Sequence, residues 1–298
     1  MTSRIRKLKG FLGIYQIGSV SNPGLSDIDM LVVFEDDAKI LMDPVRDFHS
    51  DTYLFTHQIY GVPKEYWNEL RSLTFFHNYR FIEGQEMPEL RTELDSDEIR
   101  QLKRQIALEF LVKMYIVLTV QLRYDIVKLR SFLLEGKALI YDLEFLGISS
   151  GNMFELVQQV IQVRAGWWEK QPTEAELKNL IKKLYASLTD LLMKELKQAP
   201  LYLPTTSSFQ ISRNISVSKG EFGAISSGFV LPNFGLIQDR KHFNLLNRFN
   251  RFKVTFPYSV SEKGSVVERR FQLLSQLRKH NSNRLPGFLI PASSLKVV

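Results

Sequence analysis

Ile17-Gly18-Ser19-Val20-Ser21-Asn22-Pro23-Gly24-Leu25-Ser26-Asp27-Ile28-Asp29-Met30-Leu31-Val32-Val33 decides how the first part of this chain folds. The aromatic and β-branched run Phe11–Ile17 precedes it and stops at Gly18-Ser19, which reads as a strand entering a turn. A second apolar run, from Ile28 to Phe34, ends at Glu35-Asp36-Asp37. Side chains two apart on a strand project to the same side, so Asp27 and Asp29 set two carboxylates next to each other. Adjacent carboxylates repel, and a divalent cation between them removes the conflict. Hard cations such as Mg2+ prefer such oxygen donors and hold phosphates as well.

Working outward, residues 38–49 read as a short helix, Tyr53–Tyr60 as a third strand, and Glu65–Phe76 as helical. Strand, turn, strand, helix and strand make residues 1–95 a small mixed-sheet core. From about 97 the spacing becomes helical, with Leu108, Leu111, Tyr115, Leu118 and Leu122 three and four apart. Further helices are expected over 126–146, 152–169 and 173–198. The last starts at Thr173 with Glu176 three residues on, a capping-box pattern just behind Pro172. Four such helices make residues 96–199 a bundle that buries apolar stripes against one another. Residues 200–298 return to mixed character, with strands at Phe209–Val217 and Arg251–Tyr258 and a helix over Val266–His280. The expected class is α+β in three parts.

Composition narrows the field. Of 298 residues 44% are hydrophobic and 24% charged, a globular balance. With no cysteine there is no disulfide, thiolate metal site or cysteine nucleophile. That fits a reducing compartment, and the cytoplasm is the expected location. The longest apolar stretch, Ile106–Leu122, carries Glu109 and Lys113 and reads as a buried helix rather than a membrane span. Neither a Walker loop nor a His-Glu-x-x-His spacing is present, which argues against P-loop and zinc-hydrolase chemistry. The net charge of +7 is uneven: residues 1–200 hold 25 Lys+Arg against 28 Asp+Glu, residues 201–298 hold 14 against 4. A localised basic surface draws phosphates.

The quoted stretch resembles the signature of the DNA polymerase β-like nucleotidyltransferase superfamily: an apolar strand, Gly-Ser, a spacer, then Ser-Asp-x-Asp entering a second apolar strand. The resemblance covers about the first 90 residues; a helical domain behind the core resembles the family only in kind. It implies transfer of a nucleoside monophosphate from a nucleoside triphosphate, ATP being the expected one, to an acceptor. Asp27 and Asp29 would be the catalytic carboxylates and the ligands of Mg2+ or Mn2+, with Gly18, Ser19 and Ser26 binding the triphosphate. Gly18 would let the backbone approach the phosphates and the Ser19 hydroxyl would donate to one of their oxygens.

The chain departs from the family at one point. Active members carry a third carboxylate on the next core strand, and Tyr53–Tyr60 contains no acid. His57 or Gln58 occupies the third position, with Asp51 before the strand and Glu65 after it as substitutes. His57 reads either as a base or as a packed structural histidine. The departure keeps a second reading open, a catalytically degenerate core that binds nucleotide or RNA. For that reading the stretch Arg240–Lys253 interleaves cations, rings and Asn, as single-stranded nucleic acid requires; the simpler account is an amphipathic element with Phe inside and cations outside. Trp167-Trp168 divides likewise between base stacking and core, with at least one of the pair in the core.

Overall fold

The computed structural model describes residues 1–18, 20, 22, 25–45, 54–55, 57–70, 79–89, 93–205, 208–228, 235–237 and 248–291. The chain is α+β and gathers into two compact units. One comprises residues 1–99 with 268–293, the other 100–267 with 294–298.

A short helix α1 (Thr2–Ile5) opens the first unit, followed by strands β1 (Phe11–Ile17), β2 (Asp29–Phe34), β3 (Tyr60–Pro63) and β4 (Tyr79–Gly84). They form one mixed sheet in the order β3-β2-β1-β4, with β1 antiparallel to both its neighbours and β2 parallel to β3. The central strands are apolar at successive positions because both faces are covered. Tyr15, Leu31 and Val33 meet Val62, Trp67 and Leu70 on one face. Ile14, Met30, Val32 and Phe34 meet Ile5, Ile40 and Ile59 on the other.

The end of the chain completes both faces. Helix α6 (Val266–Arg284) contributes Leu274 and Leu277 to the first cluster, and the turn behind it contributes Leu285 and Phe288 to the second. Between them the buried Asn281 side chain donates to the Gly61 carbonyl (2.9 Å), and the Gly61 amide donates to Leu289 O (2.9 Å). Leu289 thus bonds to the outer edge of β3. Gly61 is required here by close approach: a Cβ on it would lie 2.8 Å from Phe288.

In the second unit four helices form, α2 (Ser96–Arg123, its first residues counted with the first unit), α3 (Leu129–Phe145), α4 (Asn152–Ala165) and α5 (Glu174–Gln198), while residues 126–128 and 166–169, expected to be helical, are strand and turn. The Thr173 hydroxyl accepts from the Glu176 amide and the Glu176 carboxylate receives the Thr173 amide, so the capping box forms. By length and apolarity α2 suffices to cross a bilayer, yet 78% of its most apolar window is buried inside the protein. Short strands β5 (Ile126–Lys128) and β6 (Tyr202–Leu203) pair in parallel with β10 (Gly235–Ile237) and β12 (Ser259–Val260). The remaining sheet has the order β7 (Phe209–Ser212), β8 (Ile215–Lys219), β11 (Arg251–Phe256), β9 (Gly223–Ser227).

Several local expectations shift. The third strand is not Tyr53–Tyr60: it begins at Tyr60, and the described residues 54–55 and 57–59 are not strand. Residues 38–45 are not helical, and 46–49 lie outside the described residues. The expected Phe209–Val217 strand is two antiparallel strands folded at Arg213-Asn214. The positive charge of the last third is also divided: residues 268–293, with five Arg or Lys against one Glu, gather with the N-terminal sheet.

Candidate functional site

β1 and β2 end and begin opposite each other, Ile17 pairing with Asp29, so the loop between them crosses one end of the sheet. Gly18 starts that loop at φ +70, a conformation other residues rarely adopt, and a Cβ there would meet nothing within 4 Å. Backbone geometry, not crowding, selects glycine, and among the described residues nothing fills the space beside it. Ser19 lies outside the described residues. Ser26 is buried at 2% exposure. Its hydroxyl accepts from the Asn22 amide (3.0 Å) while its own amide donates to Asn22 O (2.8 Å), closing a clasp within the loop. The Ile28 amide then donates to Leu54 O (2.7 Å), tying the residue between the two acids to the segment that carries His57.

Asp27 and Asp29 are both partly exposed, and His57 joins them. One ligand atom from each lies within 4.8 Å of the others. His57 Nε2 is 3.0 Å from Asp29 Oδ1, with the two side chains about one-third exposed (35% and 33%). That carboxylate oxygen is itself shut off from solvent and receives no aligned hydrogen bond from the described residues, so the contact is short but not well directed. On the opposite side of the ring, Nδ1 is 2.6 Å from Gln58 O. A carbonyl only accepts, so Nδ1 carries the proton of that bond.

The electrostatics follow. Burial disfavours the imidazolium, but the Asp29 contact, the Gln58 carbonyl and the charges of Asp29 and Asp27 outweigh it and raise the His57 pKa above its ordinary 6.5. Tyr60 packs against His57 with ring centroids 5.2 Å apart. Burial, with the charges of Asp29 and Asp27 behind it, pushes the Tyr60 hydroxyl far above its ordinary 10.0 and keeps it neutral.

The other third-position candidates do not reach the pair. The Gln58 side-chain amide donates to Asp43 Oδ2 (3.0 Å), whose second oxygen holds the Val45 amide (2.9 Å). Glu65 follows Pro63, the far end of β3, and its amide donates to Asp36. The strand rises ~3.3 Å per residue, so Tyr60 to Pro63 spans roughly 10 Å and carries Glu65 away from Asp29. Asp51 lies outside the described residues. Asp43 and Asn22 were not singled out in the sequence: Asp43 meets Gln58 through a contact the fold creates, and Asn22 holds Ser26 four residues on through its backbone, which no side-chain pattern marks.

No family of proteins, no curated protein and no solved structure matches this chain. Its function therefore rests on its own residues.

The basic stretch of the second unit is described from Arg248 on. β11 alternates, with Arg251 and Lys253 exposed and Phe252, Val254 and Phe256 buried. One row across the sheet carries Gln210, Ser216, Lys253 and Ile225, Ile225 being 68% exposed. Phe249 is 64% exposed beside them in sequence. Of the two tryptophans, Trp167 is core at 7% and Trp168 is exposed at 65%.

Proposed function

We propose that this protein is a metal-dependent nucleotidyltransferase, moving a nucleoside monophosphate from a nucleoside triphosphate, ATP first among them, to a hydroxyl or phosphate acceptor. The observation that carries the reading is the convergence of Asp27, Asp29 and His57 within 4.8 Å at the sheet end where Gly18 opens the β1–β2 loop. Two carboxylates and one imidazole are a donor set for a divalent cation, and the solvent-sealed, unsatisfied Oδ1 of Asp29 has the character of a ligand atom. Mg2+ or Mn2+ bound there would neutralise triphosphate charge and lower the barrier to in-line attack at the α-phosphorus. The chain's own part is positional. Asp27 and Asp29 fix the cation, the Asn22–Ser26 clasp shapes the phosphate loop, and the Gly18 turn lets backbone amides near the phosphates. The reading also places the protein in the cytoplasm, in keeping with the absence of cysteine.

The test is incubation with each α-labelled triphosphate, Mg2+ or Mn2+, and a cell extract. A labelled acceptor is expected from the wild type and none from Asp27→Asn/Asp29→Asn, which should keep the wild-type circular dichroism. Calorimetry gives the second arm: metal–triphosphate affinity unchanged in that double variant removes the site assignment.

A second reading, a nucleotide- or RNA-binding protein on a degenerate core, is favoured by two observations. Among the described residues the acid pair is met by an imidazole rather than a third carboxylate. The exposed Arg251 and Lys253 on β11 supply cations for a phosphate backbone. Salt-dependent RNA binding without any label transfer would select it.

A further inference from the structure

The contact between His57 and Asp29 contains a conflict. With Nδ1–H committed to Gln58 O, the neutral ring carries its lone pair on Nε2, which stands 3.0 Å from Asp29 Oδ1 without aiming directly at it. Two such acceptor atoms repel at that distance unless Nε2 is protonated or one cation coordinates both. Among the described residues Oδ1 has no aligned hydrogen-bond partner, and it is shut off from solvent, so a cation held by both atoms would satisfy it. A backbone carbonyl on the far nitrogen is also the usual device that fixes a metal-binding histidine in tautomer and orientation.

We infer that His57 is a third metal ligand through Nε2, and that the centre it makes with Asp27 and Asp29 favours Mn2+ over Mg2+. The inference rests on the metal-site reading above and deepens it. Adjacent donors of an octahedron with bonds of about 2.1 Å stand about 3.0 Å apart, the length of the Nε2–Oδ1 contact. The 4.8 Å limit on all three donors leaves room for adjacent and opposite positions of one such ion. Mg2+ holds oxygen and water and dehydrates reluctantly, whereas imidazole suits the first-row transition ions. Mn2+ accepts both donor types in octahedral geometry, so exchanging one carboxylate for an imidazole moves preference toward it. The Tyr60 ring against His57 holds the imidazole at the site.

The experiment uses the full chain with Mn2+ alone and reads pulsed electron paramagnetic resonance for nitrogen coupling to the ion. The wild type is expected to bind one Mn2+ with modulation from a single imidazole nitrogen. His57→Asp should still bind Mn2+, lose the nitrogen signal and shift relative affinity toward Mg2+ by tenfold or more in competition. His57→Ala should lose the signal and weaken binding; circular dichroism confirms that both variants fold. Mn2+ bound to wild type without nitrogen modulation overturns the inference and leaves the acid-pair metal site standing. A nitrogen signal that survives in Asp27→Asn/Asp29→Asn also overturns it, because the nitrogen then belongs to another place. Failure to bind Mn2+ at millimolar concentration, with or without triphosphate, removes both this inference and the metal-site reading beneath it.

Discussion

Stopping the chain at Val267 removes the segment that fills both faces of the N-terminal sheet. Leu274, Leu277, Leu285 and Phe288 are 4% exposed or less. At about 1.5–3 kcal/mol for each fully buried side chain, their loss removes about 6–12 kcal/mol, an upper estimate because unfolded chains already bury some surface. Whole domains are stable by about 5–15 kcal/mol. The first unit is therefore expected to be unfolded in the truncated protein, even though every residue from 1 to 99 is present. Trp67 reports on it, being 2% exposed and in contact with Tyr15 (ring centroids 5.0 Å). Trp167 and Trp168 belong to the other unit and would be replaced by Phe to leave a single probe. The expected result is red-shifted Trp67 emission without a urea transition, recovered on adding a synthetic peptide of residues 266–291. A truncated protein whose Trp67 keeps a cooperative transition at the full-length midpoint refutes the reasoning, and the C-terminal segment is then an ornament on a self-sufficient core.

In the second unit, Thr173→Ala should cost about 1 kcal/mol by opening the capping box of α5, read as a lower urea midpoint with the fold retained. In metal-free buffer with a chelator, the His57–Asp29 contact should stabilise the protein fully below pH 6.5 and lose that effect as the pH rises through the raised folded value; the slope should vanish in His57→Ala, and a wild type with no such slope speaks against a raised His57 pKa. Arg248, Arg251 and Lys253 changed together to Gln should flatten the salt dependence of single-stranded RNA binding by about two log units per log unit of salt, at roughly 0.7 per phosphate contact. Fluorescence anisotropy reads that slope, and an unchanged slope places the RNA contact elsewhere.

What the sequence disclosed was local. β1 spans the expected Phe11–Ile17, and β2 begins one residue inside its expected start, because an apolar run bounded by glycine or acids is a self-contained signal. The box at Thr173 was equally readable, its two partners being three residues apart. β3 misled because Tyr53–Tyr60 has strand composition, whereas Gly61 and Pro63 argue against a strand. The fold overrides that: β3 lies on the outside of the sheet, where a proline at its end is tolerated, and Gly61 makes room for Phe288. The pairing of Leu289 with Tyr60 joins residues more than two hundred positions apart, and periodicity carries no information at that range. At the site, the acid pair was visible as a motif. His57 was one of several candidates until the fold turned Gln58 to Asp43 and carried Glu65 to the other end of β3.

The return of the C-terminal segment sets a timetable for synthesis. The unit that begins first waits long for its remainder: after Ile99 leaves the peptidyl-transfer centre, 168 further residues precede Glu268. At about 5–20 residues per second this is a wait of roughly ten to thirty seconds. Throughout it the N-terminal strands are out of the ribosome without their missing helix, apolar on both faces and open along the β3 edge. The unit between them, synthesised but for residues 294–298, has time to fold around nothing but itself. A nascent chain therefore acquires its acid pair as one of its final acts, and chaperone occupancy during translation should be heaviest on the strands that were made first.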